Sequence, residues 1–299
     1  MKVLHLSRTT CSNVPNHLTD AFRKYHPEIE HRWLMYRSDG WSEDPEILHH
    51  VGAADVIHWH QYVDHKIYNS TRSTKHVVQY HSEPGISNTQ HAVPPGVKQL
   101  VIPHYHSALK AFHGIKKIRN LVNYVLDEPY TKPDNSLIIS YSPSRHVFGC
   151  WQDKGVEKHI FMMKRVIQHF RGKINIKFDV IEDVSWDECM YRKKVSDIVL
   201  DECITPSYHL SSLEGLACGK PTICWLDDRV ERELLESCGS DVNPFIGVYV
   251  GWLEDYLVDF IEKGPEEIGR LGKESHEWYN TYWHPRDIVN DYASVYNSL

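Results

Sequence analysis

The chain has 299 residues, 41% of them apolar and 24% charged, and its 33 Lys and Arg against 40 Asp and Glu leave a net charge of −7. That length leaves room for two domains of ordinary size, and the acidic balance argues against a general polyanion-binding surface. Seven cysteines stand at scattered positions without a CxxC pair, which points to reduced thiols in a cytosolic setting.

No apolar run approaches the roughly 20 residues of a membrane span, and the run in MKVLHLSRTT is too short for a secretion signal. Internal repeats of solenoid period and low-complexity tracts are absent from the sequence.

Lys2 to Ser7 (KVLHLS) is predicted as a buried first strand. A loop, Arg8 to Pro15, leads to a helix from about Asn16 to Tyr25 with Leu18, Ala21, Phe22 and Tyr25 on one face. Strand, loop and helix in this order make a Rossmann-type opening. The loop RTTCSNVPN contains no glycine, so its backbone is less free to wrap a phosphate.

Arg32 to Tyr36 and Ala54 to His60 are the next expected strands. Positions two apart on a strand share a face, so His58 and His60 could grip a metal. No third ligand is evident beside them, and His104 and His106 form a second pair with the same lack. Among 21 histidines chance pairs are expected, so the reading is histidines packed at strand ends and no metal. Lys75 to His81 (KHVVQYH) is a further buried strand. A histidine leaving the carboxyl end of a parallel strand sits where open α/β sheets bind ligands, unless it merely caps the turn that follows. Gln99 to Pro103 reads as a strand and Ser107 to Phe112 as a helix. From Leu126 to Asn135 the composition shifts to DEPYTKPDN, a linker signature.

The second half opens with a strand, Leu137 to Tyr141, and the loop SPSRHVFGCWQDKG. A helix from Gly155 to Phe170 carries the stripe Ile160, Met163, Val166, Ile167 and Phe170. A strand (Lys177 to Ile181) and a helix from Ser185 to Val195, with Ser185 as N-cap, follow. The stretch SDIVLDECITPSYHLSSLEGLACGKPTI, Ser196 to Ile223, then supplies a buried strand, a turn-rich loop, a short helix closed by Gly219 and the start of another strand. Helices are expected over Val230 to Cys238, Gly251 to Glu262 and Pro265 to Tyr279, with a short strand at Ile246 to Tyr249. The tail from Trp283 to Leu299 is an amphipathic helix with Ile288, Tyr292, Val295 and Tyr296 on one side.

Glu214 is expected where the short helix begins. A helix N-terminus attracts phosphate through its unpaired N–H groups and dipole, and a nearby carboxylate can accept hydrogen bonds from both ribose hydroxyls. Ser211 and Ser212 are small enough to let phosphates approach the backbone. The competing reading makes Glu214 a helix-start charge that favours the dipole.

LEGLACGKPTI resembles, without a gap, the donor-binding segment "EAMACGxPV" of the retaining GT-B glycosyltransferases of the family 4, group 1 type. The resemblance implies that Glu214 is the second glutamate of that family's Glu-x7-Glu motif and holds the ribose of a nucleotide-sugar. The first glutamate, which faces the transferred sugar, falls on Pro206. Asp201 or Glu202 could supply a carboxylate instead, as in a smaller branch that reads D-Q/E, then Y-G/H, then the same glutamate. In this light His81 matches the "TFHT" strand end beside the transferred sugar. Arg145 and Lys154 match the "GR…KG" clamp on the donor diphosphate, a planar fork plus a point charge, although Ser144 replaces the usual glycine. The competing reading there is a solvated surface pair. Donor contacts are implied for Ser142, Asp201, His209, Ser211, Ser212, Leu213 and Glu214, and a phosphate- or acceptor-loop role for Ser12 and Asn13.

The implied fold is α/β, two Rossmann-like domains facing a cleft. Residues 1–130 would take the acceptor and residues 136–282 the nucleotide-sugar, while the tail 283–299 crosses back to the first domain. The implied activity is metal-independent, retaining transfer from a UDP- or GDP-linked sugar to a hydroxyl, with no cofactor. A catalytically inactive nucleotide- or glycan-binding protein and a nucleotide-sugar epimerase are the alternatives. The acceptor could be a glycan, a small molecule or a modified DNA base. Compact transferases of this kind also occur in bacteriophages, and Lys98, Lys110, Lys116, Lys117 and Arg119 form a basic stripe on the first domain.

Overall fold

Buried apolar runs separated by crossovers of helical length force parallel pairing. The computed structural model, which describes residues 1–36, 44–71, 74–81, 93–126, 135–143 and 155–299, builds two parallel sheets from them. Each sheet belongs to one of two units: Met1–Asn123 with Pro285–Leu299, and Tyr124–His284. The division falls a few residues before the proline-rich stretch expected to be the linker.

The first unit contains β1 (Lys2–Ser7), α1 (Val14–Tyr25), β2 (Glu30–Met35), α2 (Pro45–Ala53), β3 (Val56–His60), α3 (His65–Ser70), β4 (Lys75–Tyr80), β5 (Lys98–Val101) and β6 (Lys116–Lys117). Its strand order is β2-β1-β3-β4-β5-β6, every pair parallel. Register decides what each face carries. Leu4, Leu6, Ile57, Trp59, Val78 and Tyr80 join Ile47, Val51, Ile67 and Phe112 in an apolar core. On the opposite face β1 sets His5 beside His58 and Ser7 beside His60, while β3 sets His60 beside Gln79. One face of the sheet is hydrocarbon, and the other sets imidazoles among Val3, Val56, Val77 and Leu100.

The second unit runs β7 (Leu137–Tyr141), α4 (Val156–His169), β8 (Ile176–Val180), α5 (Trp186–Val195), β9 (Ile198–Leu200), α6 (Leu210–Ala217), β10 (Thr222–Cys224), α7 (Asp228–Cys238), β11 (Ile246–Gly247), α8 (Leu253–Glu262) and α9 (Pro265–Tyr282). Its order is β11-β10-β9-β7-β8, again all parallel. α4 and α8 cover this sheet with Met163, Val166, Leu253, Leu257 and Phe260. Helix α6 lies close against it: a Cβ on Gly215 would stand 2.4 Å from Thr222 Oγ1 and 3.0 Å from Val199 Cβ, so only glycine fits there. Gly219, at φ +67°, ends the helix as expected.

The last helix, α10 (Pro285–Asn297), belongs to the first unit. Its stripe of Ile288, Tyr292, Val295 and Tyr296 is fully buried. Tyr292 Oη donates to Gln79 Oε1 at 3.0 Å, and Arg119 pairs with Asp291 at 2.6 Å. This is the α/β plan of two Rossmann-like units with a returning C-terminal helix that the GT-B resemblance implied. No helix among the described residues is long and apolar enough to cross a membrane.

Three local expectations are corrected. Residues 107–112 form successive i to i+3 turns with only a short 3-10 segment at Lys110–Phe112, whose N-terminal Leu109 offers no side-chain cap of the kind Asp64 gives α3. Helices α2 and α3 were not anticipated, although Asp44 and Asp64 cap them by accepting backbone N–H groups of Glu46 and Lys66, both at 2.9 Å. Finally, α6 starts at Leu210, four residues before Glu214, so that carboxylate lies in the second turn and not at the helix mouth.

Candidate functional site

Each sheet reverses its winding beside its first strand. β1 lies between β2 and β3, and β7 between β8 and β9. Open α/β sheets bind ligands beyond the carboxyl ends of the strands at such a reversal. In the second unit that position is occupied by Ser142, following β7, by Asp201 and Glu202, following β9, and by the start of α6.

Two polar networks meet there. In the first, Ser142 Oγ lies 2.9 Å from Ser211 Oγ, which accepts from Lys193 Nζ at 3.0 Å. Lys193 also donates to Glu214 Oε2, and the indole N–H of Trp186 donates to Glu214 Oε1 at 3.0 Å. The side chain of Lys193 is fully buried and that of Glu214 is 8% exposed. Burial disfavours the charge on Lys193, but the Glu214 carboxylate, with Cys189 and Asp201 beside it, outweighs burial and the lysine pKa ends up raised. A carboxylate oxygen has two lone pairs, so each oxygen of Glu214 keeps room for one more donor.

In the second network, Ser212 Oγ donates to Asp201 Oδ2, which also lies 3.2 Å from His209 Nδ1. His209 Nε2 is 3.5 Å from Glu202 Oε1. The other Glu202 oxygen accepts the backbone N–H groups of Ile204 and Thr205, each at 2.9 Å. Burial raises the Glu202 pKa, opposed by His209 and by those N–H groups. Ser212 Oγ accepts the His209 backbone N–H at 3.2 Å, which fixes the first turn of α6.

The structure thus gathers Ser142, Asp201, His209, Ser211, Ser212 and Glu214 at one sheet end. The partner of Glu214 is Lys193, not the helix dipole, which corrects the helix-start reading. Leu213 is fully buried in the core and has only its backbone to offer. Lys193 and Trp186 were missed: Arg192, Lys193 and Lys194 are consecutive cations, and nothing local separates the one that faces inward. Arg145 and Lys154 lie outside the described residues. Gly155, which follows them, stands at φ +61°, and a Cβ there would meet Ile204 Cδ1 at 1.9 Å.

At the corresponding reversal of the first unit, Ser12 and Asn13 lie in a 3-10 turn, Cys11–Asn13, after β1. Cys11 and Asn13 take left-handed φ values of 44° and 62°, and Gln61, at the end of β3, takes 77°. Strain of this kind gathers where a fold holds a loop for use. Gln61 Oε1 accepts the His81 backbone N–H at 2.6 Å.

His81 terminates a row of imidazoles. His31 Nδ1 lies 2.8 Å from His5 Nε2, His5 Nδ1 lies 3.0 Å from His60 Nε2, and His60 Nδ1 lies 2.9 Å from His81 Nε2. His58 Nδ1 meets Tyr296 Oη at 2.8 Å. Burial holds His5 down to about 3 and His81 to about 4, so the row is neutral. The third imidazole that the His58 and His60 pair lacked is His5, from the neighbouring strand. The second pair, His104 and His106, lies in turns after β5.

No protein-family model and no curated protein matches this sequence. Solved structures match its fold. Anabaena Alr3699/HepE, determined in complex with UDP, aligns over 100% of both chains with a TM-score of 0.61 at 13% identity. The same protein has also been determined with UDP-glucose. A glycosyltransferase from Rickettsia africae aligns over 99% of this chain and 98% of its own, with a TM-score of 0.58 at 13% identity. S. aureus MnaA, in a co-structure with UDP, aligns over 100% and 97% with a TM-score of 0.58 at 11% identity. At these identities the likeness is one of fold.

Proposed function

We propose that this chain is a glycosyltransferase that takes a sugar from a nucleotide-sugar, UDP- or GDP-linked, and delivers it to a hydroxyl acceptor. The observation that carries the reading is the pair of carboxylates at the reversal of the second sheet: Glu214, held by Lys193 and Trp186, and Asp201, held by Ser212 and His209. A carboxylate fixed by two donors is preorganised to accept ribose hydroxyls without an ordering cost at binding. Asp201 stands in for the glutamate replaced by Pro206 and faces the transferred sugar. Ser142, Ser211 and the first-turn N–H groups of α6 receive the diphosphate. Arg145 and Lys154 are its cationic clamp, so the leaving group is stabilised electrostatically and without a metal. The acceptor belongs to the first unit, with His81, Ser12 and Asn13 on its side. Retention at the anomeric carbon is part of the proposal and rests on the motif resemblance.

The first experiment is a thermal-shift screen of UDP- and GDP-sugars, because a ligand bound only by the folded state raises its stability by mass action. The donor that shifts the melting temperature most is then assayed for release of nucleoside diphosphate and for transfer to hydroxyl acceptors. Turnover that disappears in Glu214→Gln supports the assignment. Affinity without turnover on any acceptor marks a binding protein, and isomerisation of the donor alone marks an epimerase; either result overturns it.

A further inference from the structure

We propose that His5, His58 and His60 form a zinc(II) site in the core of the first unit. Among the described residues these three each offer a ring nitrogen within 4.8 Å of the other two, and all are buried. The site is separate from the donor site and does not depend on the glycosyltransferase reading.

The ring nitrogens divide into an outer and an inner set. Each outer nitrogen is anchored: His5 Nε2 on His31 at 2.8 Å, His60 Nδ1 on His81 at 2.9 Å, and His58 Nδ1 on Tyr296 Oη at 2.8 Å. Metal-bound histidines are oriented this way, by a partner on the nitrogen that does not ligate. His5 Nδ1 and His60 Nε2 are 3.0 Å apart, and His58 Nε2 is buried without a hydrogen-bond partner. Two nitrogens bound tetrahedrally to zinc at about 2.0–2.1 Å lie about 3.3 Å apart, so the ion needs only about 0.3 Å of widening between His5 and His60. A cation there would also satisfy His58 Nε2, a group whose burial otherwise costs free energy.

Ligand chemistry selects the ion. Imidazole suits zinc and its first-row neighbours, whereas calcium and magnesium require oxygen ligands. Three neutral imidazoles without a carboxylate leave a fourth position for water or an anion, as in three-histidine zinc sites. The ligands come from β1 and β3, and their outer partners from β2, α10 and the end of β4. One ion therefore ties five elements of the first unit together and fixes the orientation of His81 through His60.

The test uses the full chain purified without a polyhistidine tag. Elemental analysis is expected to find one zinc per chain. After chelation, added Zn²⁺ should return with a Kd below about 1 µM, and Co²⁺ should give a tetrahedral visible spectrum. Tyr296→Phe, which releases only the outer nitrogen of His58, should weaken zinc about 10-fold, and His58→Gln by more than about 100-fold. No saturable uptake by the wild-type chain overturns the site, and so does uptake unchanged in His58→Gln. Should His58→Gln not fold, ¹⁵N spectra of the wild-type imidazoles decide. Displacement of the His58 and His60 signals by one equivalent of Zn²⁺ supports the site, and unmoved signals leave only a hydrogen-bonded imidazole row.

Discussion

Lys193 brings its ammonium group into a fully buried position and donates it to Glu214, a carboxylate 21 residues further along the chain. Two charges taken out of water together are tolerated only while each has the other. Lys193→Met should therefore destabilise the second unit by about 3–5 kcal/mol, because it strands a buried carboxylate. Lys193→Met combined with Glu214→Leu should recover most of that loss. Denaturant unfolding of the three variants checks this, and a single-variant cost under about 1 kcal/mol would show that the pair is not a buried charge pair.

Asp201 and Glu202 are adjacent but differently engaged. Glu202 staples the loop by accepting the backbone N–H groups of Ile204 and Thr205, whereas Asp201 accepts the neighbouring Glu202 N–H on Oδ1 and turns Oδ2 to the side chains of Ser212 and His209 at the start of α6. On the proposed function, Asp201→Asn should lower kcat by about 100-fold or more with little change in stability, while Glu202→Gln should chiefly lower stability. Steady-state kinetics beside melting curves separate the two, and the reverse pattern would reassign the sugar-facing carboxylate to Glu202.

Gly215→Ala places a methyl group 2.4 Å from Thr222 Oγ1 and 3.0 Å from Val199 Cβ. Overpacking of this kind costs about 1–3 kcal/mol. Because α6 must lift from β9 and β10 to accept the methyl, donor affinity should fall as well. Calorimetric unfolding and donor titration of this one variant test both effects.

His159 and His76 give the fold a defined response to acid. His159 donates from Nδ1 to Gly155 O at 2.8 Å and accepts the Cys203 N–H on Nε2 at 3.0 Å, so it is held neutral. His76 accepts the Trp59 indole N–H on Nδ1 at 3.1 Å. Burial lowers the pKa of both below 6.5. The unfolded chain then takes up protons first as pH falls, so these residues contribute fully above about 6.5 and lose stability below it, with a slope of up to about 1.4 kcal/mol per pH unit for each. His159→Gln can keep both hydrogen bonds without titrating. It should lower the slope of unfolding free energy against pH between 6.5 and 5 by up to about 1.4 kcal/mol per pH unit, the other buried histidines keeping the rest, and a variant with the wild-type slope would remove His159 as a cause.

Much of the fold was legible because its signals are local. The apolar runs KVLHLS and LIISY became β1 and β7, Ser185 caps α5 through the Glu188 N–H, and the stripe of α10 is buried as its periodicity required. Placing Glu214 at the helix mouth failed for an equally local reason. Ser211 and Ser212 read as loop residues, yet Ser212 closes the first turn by accepting the His209 N–H, and the helix begins four residues early.

The amino-acid sequence alone determined most of the segments that become strands and helices, that two parallel sheets would form, and that Glu214 and the histidines would sit on the second unit's short helix and on buried strands. Only the tertiary structure decided what those side chains meet. The register of parallel strands joined by long crossovers follows from packing over the whole sheet, so His5 reaches His58 across 52 intervening residues that carry no mark of the pairing. The rotation of α5 on its sheet follows from packing in the same way, and it turned Lys193 inward from among three consecutive cations to meet Glu214.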